Sequence, residues 1–222
     1  MSTATISTKE FPPAERAIFP ESSFFSRNGP GAALPSPSDV RARSNIQNPG
    51  KQQRTYRIPP VRYEELGLIV KFGRAPYVTV NEGQCLWALR RALPEVPVPE
   101  VYGWTHDGGQ VFIFMELVPG VTLEQRWGSL DEVEREGVCQ QLRGMLSDLR
   151  DVRHAPGEFF IGMTPMNKPT DGRKAVLIYL LLLSKATLII SRPATSSSTA
   201  PETTRQGGHS TQWPNFMIGC PS

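Results

Sequence analysis

The chain has 222 residues, 39% of them apolar, with 21 prolines and 19 glycines, so part of its length is expected to lie outside any packed core. Its 24 basic and 21 acidic residues leave a formal net charge of +3 with no long run of either sign, which gives no electrostatic footprint for nucleic acid and sets that partner aside. Cys85, Cys139 and Cys220 lack the paired spacings of a zinc site or a disulfide framework, and no basic start followed by an apolar run opens the chain, so a reducing, cytoplasmic setting is expected.

Residues 1–60 are rich in Ser, Thr, Pro, Gly and Asn, as in Asn28-Gly29-Pro30-Gly31, Leu34-Pro35-Ser36-Pro37 and Asn48-Pro49-Gly50, and read as a flexible leader. Phe24-Phe25, beside Phe19, is its one sticky element, fit either to dock on a folded body or to remain a loose tuft. Regular signals begin near Tyr63. Leu68-Ile69-Val70-Lys71-Phe72 alternates, placing Leu68, Val70 and Phe72 on one sheet face and Ile69 with Lys71 on the other. Val78-Thr79-Val80 reads as a second short strand. Asn81 with Gln84 resembles a helix cap with its capping-box partner, opening a helix to about Leu93 that carries Glu82, Leu86, Leu89 and Leu93 on one face. Val96-Pro97-Val98-Pro99 must be extended, because each residue before a proline is pushed out of the helical region.

Val101-Tyr102-Gly103-Trp104 and the run from Gln110 to Leu117 are strand-like and flank an Asp107-Gly108 turn, a hairpin signal. Pro119-Gly120 breaks the second run. Thr122 with Gln125 is placed to cap a short helix, and Ser129 with Glu132 a longer one. In that longer helix Val138, Leu142, Met145, Leu146 and Leu149 form an apolar stripe that needs a covering surface. His106 reads as a turn residue and His154 as a cation near the helix end; Cys85 and Cys139 read as inert small hydrophobes. Residues 163–174 are polar, 175–190 strongly apolar and 191–211 rich in Ser and Thr. The apolar run falls short of the ~20 residues that span a bilayer and contains Lys185, so a segment packed on the body is expected rather than a membrane span.

Leu66-Gly67-Leu68-Ile69-Val70-Lys71-Phe72-Gly73, Asn81-Glu82-Gly83-Gln84-Cys85-Leu86-Trp87, Val96 to Trp104 and Phe112-Ile113-Phe114-Met115-Glu116-Leu117-Val118-Pro119-Gly120-Val121-Thr122-Leu123-Glu124 together resemble a fungal phosphotransferase of the aminoglycoside phosphotransferase family, whose fold is protein-kinase-like. The resemblance continues through Gln141-Leu142-Arg143 and Leu149-Arg150 to Phe160-Ile161-Gly162. It implies an α+β fold: a kinase-like N-terminal lobe, made of a small antiparallel sheet plus a helix, followed by the first helices of a truncated C-terminal lobe. A disordered leader and tail flank it, with boundaries at 1–60, 61–162 and 163–222. It also implies ATP and Mg2+ as cofactors and transfer of a phosphoryl group to a small-molecule hydroxyl. Taken alone, a strand lysine and a helix glutamate are usually solvated surface residues. Through the resemblance, Lys71 becomes the lysine that binds the ATP phosphates and Glu82 its helix partner. Met115, Glu116 and Val118 become the hinge, with backbone groups near Glu116 and Val118 hydrogen-bonding adenine and Met115 lining the pocket.

Two departures stand against full activity. No glycine-rich loop of the G-x-G-x-x-G type precedes Lys71. Nothing matches the family's His-Gly-Asp catalytic loop or the later aspartate that holds magnesium, and Asp171-Gly172 lacks the strand context of that metal site. Catalytic incompleteness is therefore expected, with a noncatalytic nucleotide-binding remnant or interaction module as the alternative. No catalytic or metal-ligating residue is assigned, and the phosphate acceptor stays open. Residues after Gly162 show no resemblance and are expected to derive from a frame change, a retained intron or a misassigned exon boundary.

Overall fold

Alternating apolar residues along the central strands give this chain a sheet that is buried on both faces. In the computed structural model, which describes residues 4–50 and 58–156, the elements run β1 (Thr5–Ile6), β2 (Arg16–Ile18), α1 (Ser23–Asn28), α2 (Pro37–Gln47), β3 (Val61–Tyr63), β4 (Leu68–Gly73), α3 (Val80–Ala92), β5 (Val101–Asp107), β6 (Gln110–Glu116), α4 (Leu123–Arg126), α5 (Glu132–Asp151) and β7 (Arg153–His154). Five strands form an antiparallel sheet in the order β2-β5-β6-β4-β3, while β1 pairs in parallel with β7. The small antiparallel sheet with a packed helix that the sequence led us to expect is present.

On β6, the central strand, Val111, Ile113 and Met115 join one apolar cluster with Leu86 of α3 and Trp104 of β5. Phe112 and Phe114 point the other way and pack with Leu68, Val70 and Phe72 of β4. The period of two in side-chain direction thus divides a nearly continuous apolar run between two cores. The parity expected for β4 holds, so Lys71 lies on the face that α3 covers.

The second face is covered by residues expected to be a flexible leader, and for its described part that expectation is corrected. Phe24 of α1 and Val40 of α2 are fully buried in the second cluster, each side chain contributing about 1.5–3 kcal/mol of transfer free energy. Pro37 occupies the first turn of α2, and Ser36 caps it through a reciprocal capping box with Asp39. β2 adds a fifth strand beside β5, with Ala17 opposite Trp104. Few apolar residues are needed to order this segment because they dock on a surface the rest of the chain already presents.

Several local expectations are also revised. Residues 78–80 form no strand: Val78 is buried in the turn before α3, and Val80 is the first residue of that helix. Thr79 holds the cap position, its side chain making no capping bond, and Asn81 lies inside the helix instead of capping it, so no Asn81–Gln84 capping box forms; the Gln84 amide donates to the Pro12 carbonyl at 2.9 Å. The Thr122–Gln125 capping box is formed as expected. The box of α5 is Asp131 with Glu134, not Ser129 with Glu132; Ser129 sits in a preceding 3-10 turn and donates its hydroxyl to the Arg126 carbonyl at 2.8 Å. On α5 only Val138 and Leu149 are buried, while Leu142, Met145 and Leu146 are half-buried. No helix among the described residues is long and apolar enough to cross a membrane; residues 175–190 lie outside the described residues.

Candidate functional site

Lys71 leaves β4 on the α3 side, and Glu82, in the first turn of α3, meets it. The Lys71 Nζ donates to both carboxylate oxygens of Glu82, at 2.5 and 2.7 Å. The Glu82 side chain is 6% exposed and that of Lys71 32%. One partner is thus enclosed by protein and the other reaches solvent. A buried carboxylate is tolerated only when paired, so Glu82 anchors the ammonium while the exposed side of Lys71 remains available to an incoming anion.

Close packing of α3 on the sheet brings the pair together. A Cβ on Gly83 would lie 2.9 Å from Cε3 of the fully buried Trp104 ring and 3.5 Å from Cγ2 of Ile113. Glycine is what lets the first turn of α3 approach the sheet at Glu82. Two hydrogen bonds pin this region from outside: the Gln84 amide to the Pro12 carbonyl, and the Trp104 Nε1–H to the Pro13 carbonyl at 2.9 Å. The amino-terminal segment continues into β2 on one side. On the other it is stitched to the end of α5, where the Arg153 and Ala155 N–H groups donate to the carbonyls of Ala4 and Ile6. Sequence reading missed this strap because backbone carbonyls of prolines leave no compositional signal.

The end of β6 and the residue after it are held on alternate sides. The Glu116 N–H donates to the Glu100 carbonyl at 2.8 Å, and the Leu117 N–H to the Gly67 carbonyl at 2.9 Å. The Val118 N–H has no partner among the described residues. Met115 is buried in the cluster shared with Trp104 and Leu86. Behind this segment lies a polar network that sequence reading also missed. The Ser23 N–H donates to the Glu100 carboxylate at 3.3 Å, and Arg27 donates to the Tyr102 hydroxyl at 2.6 Å. Burial pushes the Tyr102 phenol above its ordinary range, against the opposing effects of Ser23 and Arg27.

His106 lies exposed near the end of β5, next to the turn made by Gly108 and Gly109, both at positive φ. Cys85 is half-buried as a residue, yet burial of its thiol, reinforced by the nearby Glu82 charge, pushes its pKa up to about 11. It is inert at neutral pH. Among the described residues no group of three or more His, Cys, Asp or Glu could hold a metal ion. Residues 51–57 and Asp171-Gly172 lie outside the described residues.

A model of the phosphotransferase enzyme family, APH, matches residues 53–186, more than half of the chain. The match runs past Gly162, where resemblance was expected to stop, and takes in part of the apolar run 175–190. No curated protein and no solved structure gives a significant match.

Proposed function

The chain belongs to the phosphotransferase enzyme family, and from that premise we propose that its sheet and α3 form a nucleotide-binding lobe for ATP. The observation that carries this reading is the Lys71–Glu82 pair: a strand lysine held by both oxygens of a buried helix carboxylate. Lys71 would meet the phosphates as a fixed positive charge, and Glu82 would keep it aimed without neutralising its solvent side. The Val118 N–H and the Glu116 carbonyl would take the adenine edge, with Met115 as pocket wall. The family pairs ATP with magnesium, but the described residues offer no group of ligands for it, and no step is assigned to the metal.

Phosphoryl transfer itself rests on positioning and charge stabilisation at the transferring group. Within these 222 residues no His-Gly-Asp triplet supplies the carboxylate that orients the acceptor hydroxyl. We therefore read the chain as binding nucleotide without transferring phosphate to a small-molecule acceptor, in a cytoplasmic setting where ATP is plentiful. Titration calorimetry with ATP, with and without magnesium, tests it. Lys71→Ala removes a charge-assisted contact and should weaken binding at least about tenfold. A folded wild-type chain that binds no ATP, or a Lys71→Ala chain that binds it equally well, refutes the reading.

A further inference from the structure

The ladder between β5 and β6 shifts register between Val101 and Gly103, and just before β5 begins, at Glu100, a side chain takes the place of a backbone partner. Along β6 the residues bond alternately to β4 and to β5. The Leu117 N–H donates to Gly67 on the β4 side, and the Glu116 N–H donates to Glu100 on the β5 side. With Leu68 registered on Glu116 as a pair that does not bond across β4 and β6, the natural donor for the Glu116 carbonyl is the Glu100 N–H, completing a two-bond antiparallel pair. That return bond is missing. The Glu100 N–H donates instead to the Glu116 carboxylate, Oε2, at 3.2 Å. The Glu100 carboxylate is tied down in turn by the Ser23 N–H, and Arg90 stands 3.9 Å from the Glu100 and 4.0 Å from the Glu116 carboxylate. Among the described residues the Glu116 carbonyl is left without a donor, next to the Val118 N–H, which is left without an acceptor.

An orphaned carbonyl followed two residues later by an orphaned N–H offers one acceptor and one donor along an extended edge. That pattern is complementary to the Watson–Crick edge of adenine, whose 6-amino group donates and whose N1 accepts; it mismatches a 6-oxo purine, whose O6 accepts and whose N1–H donates. We infer that the Glu116 side chain is a positioning residue for purine selectivity: by capping the Glu100 N–H it keeps its own carbonyl free for the adenine 6-amino group. The inference rests on the nucleotide-binding reading above. A carbonyl oxygen has two lone pairs, so losing the carboxylate cap weakens rather than abolishes adenine recognition: the carbonyl is turned into the ladder.

The test compares the full chain with Glu116→Ala and Glu116→Gln, titrating ATP and inosine triphosphate, which differ at the purine edge and share the phosphates. Wild type should prefer ATP. Glu116→Ala should lose about tenfold of that preference, the worth of roughly one hydrogen bond, whereas Glu116→Gln, whose side-chain carbonyl still accepts from the Glu100 N–H, should stay within about twofold of wild type. An unchanged preference in Glu116→Ala overturns the inference, and so does a loss in Glu116→Gln equal to that in Glu116→Ala. Scalar coupling across the hydrogen bond between the Glu100 amide and the carbonyl of residue 116, measured by NMR without nucleotide, reports directly whether the carbonyl is drawn into the ladder. It should appear only in Glu116→Ala; coupling already present in wild type overturns the role of Glu116. Failure of wild type to bind either triphosphate instead overturns the nucleotide reading on which the selectivity depends.

Discussion

Replacing Lys71 with methionine keeps most of the side-chain volume but leaves the Glu82 carboxylate enclosed without its counter-ion. Breaking a buried pair from one side costs about 3–5 kcal/mol. Here the glutamate side chain is 6% exposed but the lysine 32%, so solvent already screens part of the interaction, and roughly half that cost, about 2 kcal/mol, is expected. Replacing both partners by apolar groups removes the stranded charge, so Lys71→Met with Glu82→Leu should return to within about 1 kcal/mol of wild type. Urea denaturation followed by circular dichroism measures both. With an unchanged slope of about 2 kcal/mol per molar, the single variant should shift its midpoint down by about 1 M, and the double variant should recover at least half of that shift. Additive losses, with the double variant as unstable as the sum of Lys71→Met and Glu82→Leu, would refute the claim that the pair exists as a buried unit.

Gly83→Ala gains helix propensity worth about 1 kcal/mol, but its Cβ would press on the Trp104 ring at 2.9 Å, and that ring is held by its bond to the Pro13 carbonyl. Overpacking costs about 1–3 kcal/mol, so a net loss of about 1 kcal/mol, together with weaker ATP binding as α3 is pushed off Lys71, is the expected outcome of denaturation and calorimetry; a stabilised variant with intact binding would contradict it. Cys85, with its pKa pushed up to about 11 by burial and by Glu82, should react with iodoacetamide at pH 8 about a hundredfold more slowly than an ordinary thiol, as read by mass spectrometry of its peptide. The sign of its contribution to stability follows. Between the ordinary value of 9.0 and about 11 the unfolded chain ionises while the folded chain does not, so stability falls with rising pH across that window. A Cys85→Ser chain should lose this part of the alkaline dependence.

Much of the site was legible in one dimension because it depends on parity and spacing. Alternation in Leu68-Ile69-Val70-Lys71-Phe72 puts Lys71 opposite the face of Leu68 and Val70 whatever the partner strands are, and Glu82 follows in the first turn of the next helix. The glycines after Asp107 and the Thr122–Gln125 box are likewise local chemistry, complete within a few residues. The start of α3 was not legible, because Asn81 offered a capping oxygen while the helix begins at Val80 with Thr79 at the cap position, and the partner of the Gln84 amide, the Pro12 carbonyl, is 72 residues away in the chain. The start of α5 was misread for a related reason: Ser129 and Asp131 both offer a capping oxygen, and Ser129 spends its hydroxyl on the Arg126 carbonyl.

The sequence by itself determined the strand parity, which puts Lys71 on the face opposite Leu68 and Val70, and the hairpin, since each depends on short-range periodicity or local turn chemistry, while the pairing of Lys71 with Glu82 was expected only through the family resemblance carried by the order of the motifs. Tertiary structure alone decided that Phe24 and Val40 cover the outer face of the sheet, that the carbonyls of Pro12 and Pro13 hold α3 and Trp104 in place, and that the Glu116 carboxylate takes the Glu100 N–H from the backbone ladder. In each of these a side chain or carbonyl chooses among partners far along the chain, and that choice is settled only when the competing surfaces are brought together in space.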